Sequence, residues 1–291
     1  MYGAGARPCD ALVMKKEELL PGRRALLRGA AGLSLVPLAS TAGCFGTPQS
    51  APAAPAGGAP ALSRPQKPAT YRLRPIAGYG PARSLPAAAP VRSKPILRLA
   101  SRNRTMVLTF DDGPDPRFTP HILRTLRRHH VRAMFFVCGE MAEQSPDLLR
   151  EMVDDGHLIG NHTWTHPQLL RLRRSGVQRE IESTSEVVRR TVGEAPLWFR
   201  APYGAWNRHA FEIGASLGME PLAWTTDSLD WTEPGTRKVV DNVLRGAGSG
   251  VVILNHDAGG NRWQSVEALR IYLPRLLDDG YRFGLPQRRI T

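Results

Sequence analysis

Apolar and polar positions change rhythm at about Thr105. Beyond that point, short apolar runs alternate with segments of helical periodicity. The runs Met106–Phe110, Ala133–Val137, Leu158–Ile159, Leu197–Phe199, Pro221–Trp224, Val251–Leu254 and Tyr281–Phe283 read as strands, since short unbroken apolar runs suit strands buried on both faces. Between them, Pro120–His130, Pro146–Asp155, Val177–Val192, Asn207–Leu217, Arg237–Leu244 and Ser265–Leu277 read as helices. Ile122, Leu123 and Leu126 share one face of the first. Pro146 suits a first helical turn, where no N–H is needed; Gly156, Gly218 and Gly280 suit helix stops. Strand–helix alternation predicts an α/β domain with a parallel sheet under helices. About seven repeats predict a closed, barrel-like sheet, with its chemistry at the C-terminal ends of the strands.

Upstream of Thr105 this rhythm is missing. Residues 45–100 are rich in Pro, Ala and Gly. Proline locks φ and removes an N–H donor, so the expectation is an extended, disordered tail. Charge divides at the same place. Residues 1–105 hold 16 Lys+Arg and 3 Asp+Glu, whereas residues 106–291 hold 23 of each. The whole formal charge of +13 therefore belongs to the N-terminal third. That tail could lie along an anionic wall or membrane, but a plain spacer is the favoured reading. No nucleic-acid motif accompanies the charge, so nucleic acid is not an expected partner.

Lys15, Lys16, Arg23 and Arg24 precede a short apolar stretch, Leu26–Ala42, broken by Arg28 and Pro37. It is too short to span a bilayer comfortably and reads as an export signal. Arg23-Arg24 resembles a twin-arginine signal. Thr41-Ala42-Gly43-Cys44 resembles a bacterial lipoprotein box, which implies a lipid anchor on Cys44. Thr41 stands there in place of a larger aliphatic residue, and cleavage near Ala42 is the alternative. Met14 also fits a start of translation. The expected organisation is a signal over 1–44, a basic linker over 45–104 and a catalytic domain over 105–291. Cys9, Cys44 and Cys138 lack the spacing of a disulfide framework or a cysteine zinc site; Cys138 reads as a small buried hydrophobe.

Polar clusters follow the predicted strands. His162 and His166 are spaced i, i+4, which on a helical turn presents both imidazoles on one face. Such a pair alone is often ordinary surface. Asp112, from another strand end, adds an oxygen donor, and two nitrogens with one carboxylate leave coordination positions open for water and substrate. Zinc is the default ion for that set, and cobalt, nickel or manganese also match its donors. Asp111 precedes Asp112 at a Gly113-Pro114 turn that lets both carboxylates face the rim. One could hold metal while the other accepts a proton from water, although Asp-Asp-Gly-Pro alone is an ordinary turn. His256 could protonate a departing amine. Arg200 could orient Asp111 through a charge-assisted pair. Asp227 could hold the His256 imidazole and raise its pKa, and the Tyr203 backbone N–H could help stabilise an oxyanion.

Five ordered strings carry a resemblance: Thr-Phe-Asp-Asp-Gly-Pro (109–114), His-Thr-Trp-Thr-His (162–166), Arg-Ala-Pro-Tyr-Gly (200–204), Asp-Ser-Leu-Asp-Trp (227–231) and Leu-Asn-His (254–256). Over about residues 105–285 the chain resembles the polysaccharide deacetylase family, carbohydrate esterase family four. The resemblance implies a distorted (β/α) barrel of about seven parallel strands. It implies Asp111 as base, Asp112, His162 and His166 as metal ligands, His256 as acid, and Arg200 and Asp227 as tuners of these groups. Trp231 and Leu254 would line the acetyl groove, and Pro202 joins the substrate-binding set. The expected activity is removal of N-acetyl groups from an amino-sugar polymer, peptidoglycan or chitin-like, by an exported enzyme. The alternatives are an O-acetyl esterase on sugars and a non-catalytic wall-binding module. The sequence is silent on oligomeric state.

Other residues have blander expectations. His157 reads as structural, Asn161 as a turn former, and His121, His129, His130 and His209 as solvated. Asn255 should point away from the rim. Trp198 reads as core. Trp206 and Trp263 read equally well as sugar platforms or as packing.

Overall fold

The structure, a computed structural model, describes residues 88–101 and 103–287. The expected export signal and the expected tether as far as residue 87 lie outside the described residues. A sheet of parallel strands runs in the order β5-β4-β3-β2-β1-β7-β6. The strands are β1 (Thr105–Asp111), β2 (Met134–Val137), β3 (Leu158–Asn161), β4 (Trp198–Phe199), β5 (Glu220–Pro221), β6 (Thr226–Asp227) and β7 (Val252–His256). A last strand, β8 (Arg282–Phe283), pairs with the foot of β1. Helices α1 (Thr119–Arg128), α2 (Gly139–Gln144), α3 (Pro146–Asp154), α4 (Arg174–Val192), α5 (Arg208–Ser216), α6 (Thr236–Arg245) and α7 (Trp263–Asp278) connect the strands. This is the distorted (β/α) barrel that the family resemblance implied; among the described residues β5 and β6, the two ends of the path, do not pair, so the closed sheet expected from the alternation is a curled, open one. Among the described residues no helix is long and apolar enough to cross a membrane.

The period-2 alternation of a strand sorts the side chains into two cores. Val107, Met134, Phe136, Trp198, Leu222 and Val252 point inward and fill the curled sheet. Met106, Leu108, Phe110, Phe135, Val137, Ile159 and Ile253 point outward, against the buried faces of helices such as α1, α3, α6 and α7. Phe110 stacks on Phe135 at 5.2 Å between ring centroids. Trp198 is core, as expected. Asn255 sits on the outward side, where its Oδ1 accepts from the Tyr272 hydroxyl of α7 at 3.2 Å, so its polarity does not reach the rim. His157 is buried against Phe135, and its Nδ1 accepts the Ala133 N–H at 3.1 Å.

Three further expectations need correction. Of the predicted strand Pro221–Trp224 only Pro221 lies in a strand, at the end of β5, and the next strand, β6, starts beyond it at Thr226. β5 pairs with β4, while β6 pairs with β7 at the far end of the sheet. One extended stretch thus serves both ends and curls the sheet toward closure, a task apolar patterning does not reveal. The folded part also begins before residue 105. Ile96 pairs with Leu222, Leu99 donates its N–H to Gly250, and Arg92 forms an ion pair with Glu220. A strap held by single ladder bonds needs no periodicity, so composition hid it. Finally, His121 is half-buried against Trp263 rather than solvated, with ring centroids 4.9 Å apart.

Candidate active site

The inward rows of β1, β3, β4, β6 and β7 lead to polar side chains. Val107, Thr109 and Asp111 share one face of β1; Val252, Leu254 and His256 share the matching face of β7, and Asp111 lies in register with His256. His162 follows β3, Arg200 follows β4 and Asp227 ends β6. Strand parity therefore delivers all five to one rim, at the C-terminal ends of the strands.

Asp112, His162 and His166 form one corner. Asp112 Oδ1 lies 3.5 Å from His162 Nε2 and 3.3 Å from His166 Nε2. That oxygen is buried and has no hydrogen-bond partner, a costly arrangement unless a cation completes it. His162 Nδ1 bonds the Arg200 carbonyl at 2.8 Å, which directs the Nε2 lone pair at the shared space. Burial, then the neighbouring His166, pushes the His162 pKa well down, so the ring is neutral and able to ligate. These three donors fit a divalent ion.

The two histidines do not sit on a helical turn, as their spacing had suggested. They lie on a loop with left-handed φ values of 67° at Thr163 and 58° at His166. Asn161 Oδ1 accepts the Thr163 N–H at 2.9 Å. Glu180 of α4 accepts the N–H groups of Trp164 and Thr165, each at 2.8 Å. Tertiary anchoring replaces helix geometry here. Asn161 had a local signal as a turn former; Glu180 had none. Gly259 closes the other side, since a Cβ there would collide with the Asp112 carboxylate.

Asp111 and Asp112 both face the rim, and Asp111 Oδ2 lies 3.6 Å from His162 Nε2. Arg200 is fully buried and donates from Nη1 to Asp111 Oδ1 at 2.6 Å and to Thr109 Oγ1 at 2.8 Å. Nε and Nη2 donate to the carbonyls of Leu222 and Ala223. A buried guanidinium is tolerated because every nitrogen of its fork has an acceptor, one of them a carboxylate. Burial lifts the Asp111 pKa to about 6 against the opposing charges of Arg200 and His256, a value suited to a general base near neutrality.

His256 forms the opposite corner, and its partner corrects the sequence reading. Asp230, not Asp227, holds the ring: Nδ1 lies 2.7 Å from Asp230 Oδ1. Asp230 also accepts the His256 N–H at 2.9 Å and the Ser265 hydroxyl at 2.6 Å. Burial alone would lower the His256 pKa. The Asp230 charge and hydrogen bond outweigh it, with Asp112 and Asp111 adding, and lift it to about 9. Asp227 instead accepts the Leu229 N–H and a bond from the Trp231 side chain, and burial raises its pKa. Leu229 takes a left-handed φ of 57° that turns the next residue, Asp230, inward. No apolar pattern marks that turn.

Tyr203 has φ of 60° on the turn after Arg200, and its ring packs edge-on to His166 at 4.5 Å. Pro202 and Leu254 are buried beside this rim, and Trp231 is 42% exposed. Trp206 stacks on Phe211 at 5.2 Å and sits edge-on to Phe199, which makes it packing. Sequence reasoning also missed Asp257, which accepts the Gly113 N–H at 3.2 Å and the Thr119 hydroxyl at 2.5 Å, so it braces the turn bearing Asp111 and Asp112. It missed Arg262 too, buried and bonded to the carbonyls of Ala258 and Asp230.

Residues 99–222 match the family described as polysaccharide deacetylase. A chitooligosaccharide deacetylase of Rhizobium leguminosarum bv. trifolii is 36% identical over 205 residues, covering 66% of this chain and 95% of that one. This chain belongs to the polysaccharide deacetylase family of hydrolases. A peptidoglycan-N-acetylglucosamine deacetylase of Bacillus cereus is 38% identical over 179 residues, covering 61% of this chain; the chain spans 65% of that relative's length. In three dimensions the solved Bc1960 peptidoglycan N-acetylglucosamine deacetylase, in complex with a naphthalenyl N-oxidanyl-benzamide, superposes with a TM-score of 0.63. It is 36% identical and covers 65% of this chain and 89% of its own.

Proposed function

We propose that this polysaccharide deacetylase hydrolyses N-acetyl groups on an amino-sugar polymer, peptidoglycan or a chitin-like chain, with zinc held by Asp112, His162 and His166. Cobalt, nickel or manganese match the same donors. The observation that carries the reading is the buried, unpartnered Asp112 Oδ1 facing two imidazole nitrogens, set between a carboxylate of raised pKa and an imidazole of raised pKa. When bound, a divalent ion supplies Lewis acidity toward the acetyl oxygen and lowers the pKa of a water.

Asp111 is the base. Its Oδ2 is turned to the rim while Arg200 holds Oδ1, so one oxygen stays placed to accept a proton from the water that attacks the acetyl carbon. His256 is the acid. Asp230 keeps it protonated at neutral pH, ready to give a proton to the departing amine nitrogen. Pairs of groups whose surroundings push their pKa values apart mark acid and base roles. The Tyr203 N–H serves the oxyanion. Leu254 and Pro202 line the acetyl groove, Trp231 flanks it, and Asp227 fixes Trp231.

For the cell, the reading is an exported enzyme, with residues 1–44 as a signal, a lipid on Cys44, and a basic tether leading to the barrel. Labelling with a fatty-acid analogue, lost in Cys44→Ala, tests the anchor. For the activity, purified protein is incubated with GlcNAc oligomers, peptidoglycan fragments and acetylxylan. Loss of one acetyl mass from the amino sugars supports the reading. Release from acetylxylan alone would replace it with the O-acetyl esterase, and binding without release would replace it with a wall-binding module.

A further inference from the structure

Trp263 is the first residue of α7, directly after the loop that leads from His256. In a parallel strand–helix barrel the helix after a strand starts on the face where that strand ends, so Trp263 stands on the catalytic face. Its side chain packs edge-on to Phe118 at 5.5 Å and to His121 at 4.9 Å, both at the start of α1. Yet it is 45% exposed. A large apolar ring is thus held rigidly by two aromatic neighbours while much of its surface faces solvent.

The backbone beneath it is unusually well fixed to the site. Gly259 abuts Asp112. Arg262 bonds back to Ala258 and across to the Asp230 carbonyl. Asn261 Oδ1 accepts the Trp263 N–H at 3.2 Å, and Gln264 Oε1 accepts the Gly235 N–H from the loop that carries Trp231. Two exposed tryptophans, Trp231 and Trp263, are therefore mounted on one hydrogen-bonded frame around the His256 corner.

We propose that Trp263 is a sugar-stacking platform, which binds a residue of the glycan chain beyond the unit being deacetylated and makes the enzyme favour longer chains. The pyranose faces of an amino-sugar polymer present C–H groups suited to an aromatic face, and a rigid platform binds them without ordering cost. Trp206, the other tryptophan of uncertain purpose in the sequence, offers no such face because Phe211 covers it. The inference rests on the amino-sugar reading above.

The test compares wild type, Trp263→Ala and Trp263→Tyr on the hexamer and the dimer of N-acetylglucosamine. Acetate release gives kcat and KM, and calorimetric titration with each Trp263 form carrying Asp111→Asn gives binding without turnover. The hexamer-to-dimer ratio of kcat/KM should fall about fivefold in Trp263→Ala, through KM rather than kcat, and return in Trp263→Tyr. Hexamer affinity should fall in parallel. An equal loss on both oligomers, an unchanged ratio, or hexamer binding indifferent to Trp263→Ala would overturn the platform. Wild type that releases no acetate from either oligomer would sink the activity reading instead, while the titration still decides the platform. Thermal melts of each variant separate lost folding from lost binding.

Discussion

His162 and His256 sit on one rim, with side chains 3% and 12% exposed, yet they are held in opposite protonation states. Burial drives His162 well below its usual pKa, while His256 rises to about 9. The residue type is the same and the depth is similar. What differs most is the group on Nδ1: a neutral carbonyl, that of Arg200, for His162, which also has His166 beside it, and a carboxylate, that of Asp230, for His256. A carbonyl fixes the tautomer without paying for a charge, which leaves a lone pair for a metal. A buried carboxylate stabilises the imidazolium, which leaves a proton to give. On the proposed mechanism, that partner separates the ligand from the acid.

The largest expected effect removes the metal corner. Chelation, or Asp112→Ala, should lower acetate release by roughly a thousandfold or more, and added zinc should restore the chelated wild type only. Full activity in a strong chelator would show that this corner is not a metal site. Next comes the proposed base. Asp111→Asn keeps the shape of the side chain but cannot take a proton, and kcat should drop about 10²- to 10⁴-fold; metal content by mass spectrometry should stay near wild type.

Exchanging the partner sharpens the comparison most directly. In Asp230→Asn, burial acts on His256 without the opposing carboxylate, so its pKa should fall. The alkaline limb of the rate profile, expected near 9 in wild type, should move to lower pH, and kcat at pH 8 should fall about tenfold. A limb that stays put would mean another group sets it. The sign for stability follows. The folded-state pKa of His256 lies above its unfolded value of 6.5, so the pair stabilises the fold fully below about 6.5 and loses that contribution as pH rises through about 9.

The smallest effect isolates burial from function. His157 lies outside the rim, and burial lowers its pKa from 6.5 to about 4. Its neutral form therefore stabilises the fold above 6.5, a contribution lost as pH falls through about 4, worth about 3 kcal/mol at most. Urea unfolding between pH 7 and 4 should show a shallower acid loss in His157→Gln than in wild type. Parallel curves would remove burial as the cause.

The sequence by itself determined the alternation of strands and helices, the split between a charged tail and a neutral domain, and which side chains reach the rim. These follow from rules of period and parity that act over a few residues: Asp111, Arg200 and His256 are inward because strands alternate. It also marked Asp112, His162 and His166 as a metal set, through donor types and ordered motifs. Tertiary structure alone decided how that set converges. The histidine pair is aimed by left-handed residues and by Glu180, which arrives from α4. It decided that Asp230 rather than Asp227 holds His256, since one left-handed turn at Leu229 separates two aspartates that are chemically alike. It decided too that residues 89–99 belong to the barrel and that Trp263 is exposed while Trp206 is packed. The reason is common to all of these. Hydrogen-bond partners far apart in the chain, and the solid angle left open around a ring, are set by how elements pack, and no local period encodes them.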